Sequence, residues 1–524
     1  MRLPCSLPPS NSKHLPYLRW IKNLSPSYRD LQYLADWMEI GAVPGRWTVL
    51  SENPTDRRKV SIKTEVTHIH YDTDMQPNWT SIKSADDLRR RLERAHGQPL
   101  DLYIVEDLSR MVIEGLGSRF GIDPYFFREQ LTDDAHSTLE EHEDTTPNLT
   151  ANHRRRSWFR IRNVRIQYHV PAGHGPWDFP MNHITNSNIE RSGFCETEEQ
   201  LYHEQLRMHV SLDVSRTTVW IGQERQGPDG VVGIVLVDPR GCESPLWSGR
   251  ANWLPVPDFR DKLSRTLWLR KTVSWYDDIC QATAHYPWFK SSAAIDTTDP
   301  CVIVLPAFYT ICAEWLLVCK YAELRLRMIN RLLEGGATGE DYETQISRGL
   351  RGLRSWHDRV GDWKKMVQET LDQALPTAVR LTSTAACSPT DDKFEDIVYD
   401  FNRVLRSLDE VQHRLDQLEQ RAGAQMQLLA ARDSLAESHN LARLTWLATI
   451  FVPLTFISGL FSMTDDLRSI RGTFKIYFIV AIPVAMLLTV SVRWGSSAFR
   501  HVTQCILALC TRPKLKIIKR EFAR

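Results

Sequence analysis

The chain lacks an excess of charge of either sign. Its 65 lysines and arginines face 64 acids, a formal charge of +1 over 524 residues. A dedicated nucleic-acid binder normally carries a basic surplus, so no nucleic-acid partner is expected. Cysteine is sparse: the ten present are scattered and none forms a C-x-x-C pair. That excludes zinc-ribbon spacing and a dense disulfide framework. The cysteines read mostly as reduced, as on a cytosolic face. The N-terminus lacks the apolar core of a signal peptide. Residues 1–29 hold Arg2, Lys13, Arg19, Lys22 and Arg29 and no acid, a faint transit-peptide composition. Five prolines in the same stretch oppose the amphipathic helix such a peptide needs, so it reads as a disordered arm.

Catalytic signatures are missing too. His203-Glu204 fails to complete H-E-x-x-H because Arg207 takes the second histidine's place. Gly115, Gly117 and Gly121 do not make a dinucleotide fingerprint, and there is no P-loop. No nucleophile has a recognisable base, and no cofactor is implied. An enzyme is therefore not expected. Asp133, Asp134, His136, Glu140, Glu141, His142 and Asp144 read as an acidic linker rather than a metal cluster, since no rigid face unites them. The sequons at Asn23, Asn78 and Asn148 matter only in a secretory lumen.

What is present falls into a mixed half and a helical half. Residues 1–80 read as a variable, partly disordered arm, and 81–300 as an α/β domain. Within it an apolar run at 102–105 precedes Ser109, a candidate N-cap, and a helix pattern through Met111, Val112, Leu116 and Phe120. Strands are expected at 161–170, 208–214, 217–221 and 231–237 from β-branched alternation. Residues 132–157 read as a linker. From 301 the pattern turns helical. The 301–334 helix is apolar, yet its charge-free part is too short to span a bilayer. A second helix is expected over 341–375, ended by Pro376. Both belong to a region of cytosolic helices over 301–390.

Ile397, Phe401, Val404, Leu408, Val411, Leu415, Leu418, Ala422, Gln425 and Leu429 then alternate steps of four and three, a heptad seam. No proline interrupts 391–452, so one helix is expected over 391–463, about 100 Å long at about 1.5 Å per residue. Its seam must pack on the 341–375 helix, on a copy of itself, or on both.

Residues 444–463 contain no charge, and twenty residues match the span of a bilayer's hydrocarbon. Residues 476–492 form a second uncharged run bounded by Lys475 and Arg493, whose long stems can snorkel. The pair reads as a transmembrane hairpin with an outer loop at 464–475. After it come Arg500, Arg512, Lys514, Lys516, Lys519, Arg520 and Arg524 against Glu521 alone. The positive-inside rule puts this 493–524 tail, and with it the N-terminus, in the cytoplasm. Pro453 and Pro483 are expected to kink their spans.

The stretch 444–463, with Ala448-Thr449-Ile450-Phe451, Pro453-Leu454-Thr455-Phe456-Ile457 and Gly459, strongly resembles the first transmembrane helix of the CorA family of magnesium transporters. Val105-Glu106-Asp107-Leu108 and Gly121-Ile122-Asp123-Pro124 resemble its fungal branch. The resemblance implies an α+β cytosolic domain, long stalk helices and a two-helix C-terminal hairpin, assembled as a homo-oligomer of five in a lipid bilayer. It implies passive flux of a divalent cation, Mg²⁺ foremost, with Mg²⁺ also a possible regulator. The pore would be lined by Ser462, Thr455, Val452, Leu444, Leu441 and Ser438. Where the family ends this span with Gly-Met-Asn, this chain has Ser462-Met463-Thr464. Hydroxyls there replace an amide ring, which motivates a second reading: a non-conducting, membrane-anchored oligomeric regulator. Asp465 and Asp466 either concentrate cations at the outer mouth or form a solvated turn beside Arg468 and Arg471. The fungal likeness favours the plasma membrane.

Overall fold

Two apolar runs, fully buried along most of their length, seed one sheet. They are β3 (Leu100–Glu106) and β7 (Val231–Val237), and they pair in parallel. In chain order the elements of the computed structural model begin with α1 (Pro16–Leu24), α2 (Leu31–Ile40), β1 (Glu65–Tyr71), β2 (Pro77–Ile82), α3 (Ala85–Arg94), β3, α4 (Arg110–Phe120) and α5 (Pro124–Leu131). They continue with the single turn α6 (Thr150–His153), β4 (Trp158–His169), β5 (Gly193–Glu198), β6 (Met208–Gly222), β7, α7 (Trp275–Ala284) and α8 (Cys301–Glu334). The helical part is α9 (Glu340–Glu369), a π turn (Thr370–Ala374), α10 (Leu375–Thr382) and α11 (Glu395–Ser462). The structure describes residues 15–40, 64–71, 77–94, 100–131, 149–169, 189, 193–198, 208–222, 231–239, 274–284, 286, 300–334, 340–383, 394–462, 475, 478–479, 481–484 and 486. The chain divides into two units, Met1–Thr338 with Thr344–Glu419, and Gly339–Glu343 with Gln420–Arg524.

The sheet of the first unit runs β2-β1-β3-β7-β6-β4, with β5 beside the first half of β6. Every pairing except β3–β7 is antiparallel. One face carries Val66, Tyr103, Val105, Trp158, Trp220, Ile234 and Leu236 and is covered by α1 to α5. On the other face Thr67 meets the Tyr276 hydroxyl of α7 at 2.5 Å, and Phe159 stacks on Phe308 of α8 at 5.5 Å. Gly233 lies on this second face under Ile303, where a Cβ would come within 2.6 Å of that side chain. The fold is thus helices on both faces of a mostly antiparallel sheet, an α+β unit, as expected.

Several boundaries differ from the sequence reading. The arm expected to be variable contains α1 and α2, whose Tyr17, Leu18, Ile21, Leu34, Trp37 and Met38 are core residues, and it contains β1 and most of β2. A domain edge at 81 would cut β2. The runs at 208–214 and 217–221 are one strand, because Ser215 and Arg216 stay in register with Asn163 and Arg162 of β4. Ser109 stands at the N-cap of α4, but its hydroxyl makes no capping bond. Most of the 132–157 linker, with the 133–144 acidic residues, lies outside the described residues.

Pro376 does not end its helix. Lacking an N–H, it cannot bond the carbonyl four residues back. The chain widens into the π turn, where Leu375 N–H reaches Thr370 O, and then continues as α10.

The α8 helix is apolar and long enough to cross a membrane, yet 78% of its most apolar stretch is buried inside the protein. It is a core helix. Burial pushes its Cys312 thiol upward and that of Cys319 to about 12, so both are poor nucleophiles. The first half of α11 buries Ile397, Phe401, Val404, Leu408, Val411, Leu415 and Leu418. This is the heptad seam, and α8 shares it. Phe401 packs edge-on to Phe308 at 6.2 Å, and Cys319 Sγ points at Val404 O. On the α9 side Lys364 Nζ meets Asp409 Oδ1 at 2.5 Å, and His357 lies 3.4 Å from Asp416. The sequence reading named α9 as a partner and missed α8.

Candidate functional site: the exposed half of the long helix

The seam's burial ends at Ala422, and among the described side chains from 423 to 456 none is buried. Helix α11 nevertheless continues, unbroken through Pro453, to Ser462. Its last turns carry Leu444, Trp446, Leu447, Phe451, Val452 and Phe456, each between 44% and 69% exposed. At about 100° per residue these six lie all round the helix. Only 6% of the apolar window here is buried, against 78% in α8. A helix apolar on every side belongs in a protein core or a bilayer, and this one has no core around it among the described residues. Covering such a side chain is worth about 1.5–3 kcal/mol. Six together rival the whole stability of an ordinary domain, so the bare state in water is untenable.

Ser438, Leu441, Leu444, Val452 and Thr455 are all helical and all exposed. With Ser462, the last helical residue, they fall within an arc of about 120° by helical geometry. The expected lining set is therefore one continuous stripe. Met463, Thr464, Asp465 and Asp466 lie outside the described residues. Thr445 was overlooked. It stands seven residues after Ser438 and seven before Val452, on the same stripe, and the heptad period alone could have found it.

The threonines of this stretch donate inward. Thr445 bonds Leu441 O at 2.8 Å, Thr449 bonds Thr445 O at 2.7 Å, and Thr455 bonds Phe451 O at 2.7 Å and Val452 O at 2.9 Å. With the hydroxyl proton committed to the helix, each oxygen is left as an outward acceptor. The waters around a cation point their hydrogens outward, so such an oxygen suits a hydrated ion.

The second apolar run is described at Lys475, 478–479, 481–484 and Met486, all helical. Phe478, Ile479, Ile482 and Met486 are exposed, while Ala481 is fully buried. On the first helix Ile457 alone among the described side chains from 423 is buried, at 8% exposure. Among the described residues no three His, Cys, Asp or Glu side chains gather as a metal site.

Comparison with known proteins follows this geometry. Residues 354–494, from the middle of α9 through both apolar runs, match the family of the CorA-like Mg²⁺ transporter protein. Among solved structures, the CorA magnesium transporter from Methanocaldococcus jannaschii aligns at 10% identity and TM-score 0.38, covering 82% of this chain and 97% of that one. The full-length CmaX protein aligns at 10% identity and TM-score 0.34, covering 84% and 98%. No curated protein matches.

Proposed function

We propose that this protein is a CorA-like divalent cation transporter, embedded in a membrane as a homo-oligomer and carrying Mg²⁺ passively. The observation that carries the proposal is the bare, all-round apolar end of α11, continuous with a stalk whose first half is fully packed. Two spans per chain cannot enclose a water-filled path, so several copies must surround an axis, and cyclic assembly is the ordinary solution. The match over 354–494 adds the transport class. In this reading Ser438, Leu441, Leu444, Val452, Thr455 and Ser462 line the path, with Thr445 added. Hydroxyl rings hold the water shell of an ion that dehydrates reluctantly, and apolar rings close the path by dewetting. Met463 and Thr464 complete the outer end, and Asp465 and Asp466 draw cations to it. Both termini face the cytoplasm, and the membrane is the plasma membrane.

The test is reconstitution of the full chain into liposomes containing a Mg²⁺-sensitive dye. Influx that is lost in Thr464→Lys supports the pore. Silence from intact oligomers, together with flux restored by Ser462→Gly plus Thr464→Asn, would instead make the protein a non-conducting regulator.

A further inference from the structure

A polar cleft opens in the first unit where β4 meets the π turn. Its space, counted out to open solvent, is about 390 Å³. Glu129, His153, Arg156 and Arg160 line one side; Glu369, Gln373 and Thr377 line the other, above Trp158 and Phe159.

Both carboxylates are already taken. Glu129 Oε1 accepts from Arg156 at 2.8 Å. Glu369 Oε2 accepts from Arg162 Nε at 3.1 Å and from its NH2 at 2.8 Å. Arg156 also stacks over Trp158 at 4.4 Å and reaches His153 Nδ1 at 3.2 Å. His153 therefore accepts on Nδ1, and burial and the Arg156 charge hold its pKa below the usual value. The neutral ring carries its proton on Nε2, a donor.

Arg160 is the cation left over. Its one ion-pair contact is Glu129 Oε2 at the limiting 4.0 Å, and it makes no hydrogen bond. Its side chain is 27% exposed, so its guanidinium is held by water rather than by protein acceptors and is open to a ligand. The remaining lining groups, the Thr377 hydroxyl and the Gln373 amide, both offer hydrogens. A cation would have to displace two guanidinium partners, whereas an anion meets donors that are spare.

We propose that this cleft binds a compact phosphate-type oxyanion, held by Arg160 from β4 and by Gln373 and Thr377 from the π turn and α10. The chemistry fits inorganic phosphate or the terminal phosphate of a nucleotide. Planar guanidinium groups match oxyanion geometry, and charge-assisted bonds of this kind are the strong ones. The bound ion ties the sheet to the helical arm at the one place where that arm departs from α geometry. π turns are recurrent features of functional sites.

The test is calorimetric titration of the purified full-length protein in detergent with inorganic phosphate and, separately, with ATP and adenosine. Saturable binding, one ion per subunit with Kd of about a millimolar or tighter, is expected. ATP binding tighter than phosphate assigns a nucleotide as the source; equal or weaker binding, with adenosine inert, assigns the free ion. Arg160→Ala should weaken binding about tenfold to a hundredfold, with Arg160→Lys between. Glu369→Gln removes a competing carboxylate, so it should tighten binding, a gain that misfolding cannot mimic. No saturable binding of either anion, wild-type affinity in Arg160→Ala, or weakening by Glu369→Gln would each overturn the proposal.

Discussion

The carboxylate of Glu114, in the middle of α4, caps a different helix. Its Oε1 accepts from Tyr17 N–H at 2.8 Å and its Oε2 from Leu18 N–H at 3.0 Å, at the N-terminus of α1. The side chain at the N-cap position of α1, Leu15, has no such capacity. The first N–H groups of a helix have no partner within it and must find one. Glu114 supplies it from 96 and 97 residues away. Glu114→Ala should destabilise the unit by about 1–3 kcal/mol, and Glu114→Gln by less, because one amide oxygen remains to accept. Burial raises the Glu114 pKa, and the two backbone bonds oppose that shift. The folded state then holds its proton at pH values where the unfolded chain has lost it. Stability should fall as pH rises above the ordinary glutamate range, and Glu114→Gln should flatten that slope in pH-resolved denaturation.

Three residues on, Gly117 lies beneath the Tyr17 ring. A Cβ there would come within 2.5 Å of two ring carbons, while one at Gly115 would meet only the ends of Leu92 at 3.4 Å and Leu88 at 3.6 Å. The same substitution in one helix should therefore have opposite signs. Gly115→Ala gains helix propensity, about 0.5–1 kcal/mol. Gly117→Ala forces the ring aside and should cost about 1–3 kcal/mol. Melting temperatures of the two variants check the pair.

This contact also shows why the N-terminal part was hard to read. The apolar runs of β3 and β7 announce themselves because both are buried almost throughout. In β1, by contrast, Glu65, Thr67, His68 and His70 look like loop residues. Thr67 and His68 are nevertheless buried, and their burial depends on distant partners: Asp101 lies 2.9 Å from His68 Nε2, and Tyr276 lies beside Thr67. Sequence period cannot show such pairs. Pro376 misled for a related reason, since only tertiary packing decides whether a helix stops at a proline or widens around it. The stripe from Ser438 to Thr455 was named from the resemblance to the CorA family; a helical period accounts only for its members sharing one face.

Glu314 on α8 is a carboxyl group poised near neutrality. Burial raises its pKa from 4.5 to about 7, with Arg165 opposing and Asp278 reinforcing the shift. Arg165 is itself held over the Trp275 ring at 5.4 Å. Between pH 4.5 and 7 the folded state binds more protons than the unfolded chain, so stability should decline across that window as pH rises. Glu314→Gln should leave stability unchanged near pH 4.5 and raise it by about 1–3 kcal/mol at pH 8. Denaturant midpoints of the detergent-purified protein at the two pH values check the sign; equal gains at both would mean the side chain titrates normally.

The lining stripe makes the sharpest distinction between neighbouring residues. Thr445 shares the arc of Ser438 and Val452, whereas Leu447, two residues on, lies about 160° away from Thr445 by helical geometry. Both are exposed on the isolated helix, so exposure alone does not separate them. If copies of the chain surround a wet path with this stripe inward, a cysteine at 445 faces water and one at 447 faces lipid or a neighbouring helix. Thiolates react and buried thiols do not. A charged, membrane-impermeant thiol reagent should therefore block Mg²⁺ flux in Thr445→Cys and spare Leu447→Cys, in liposomes of each variant. Thr455→Val offers the chemical complement: it removes the hydroxyl oxygen yet keeps the side-chain shape, and should lower flux without altering oligomer size. Reactivity at 447 with protection at 445 would rotate the helix by half a turn and move the path to the opposite face.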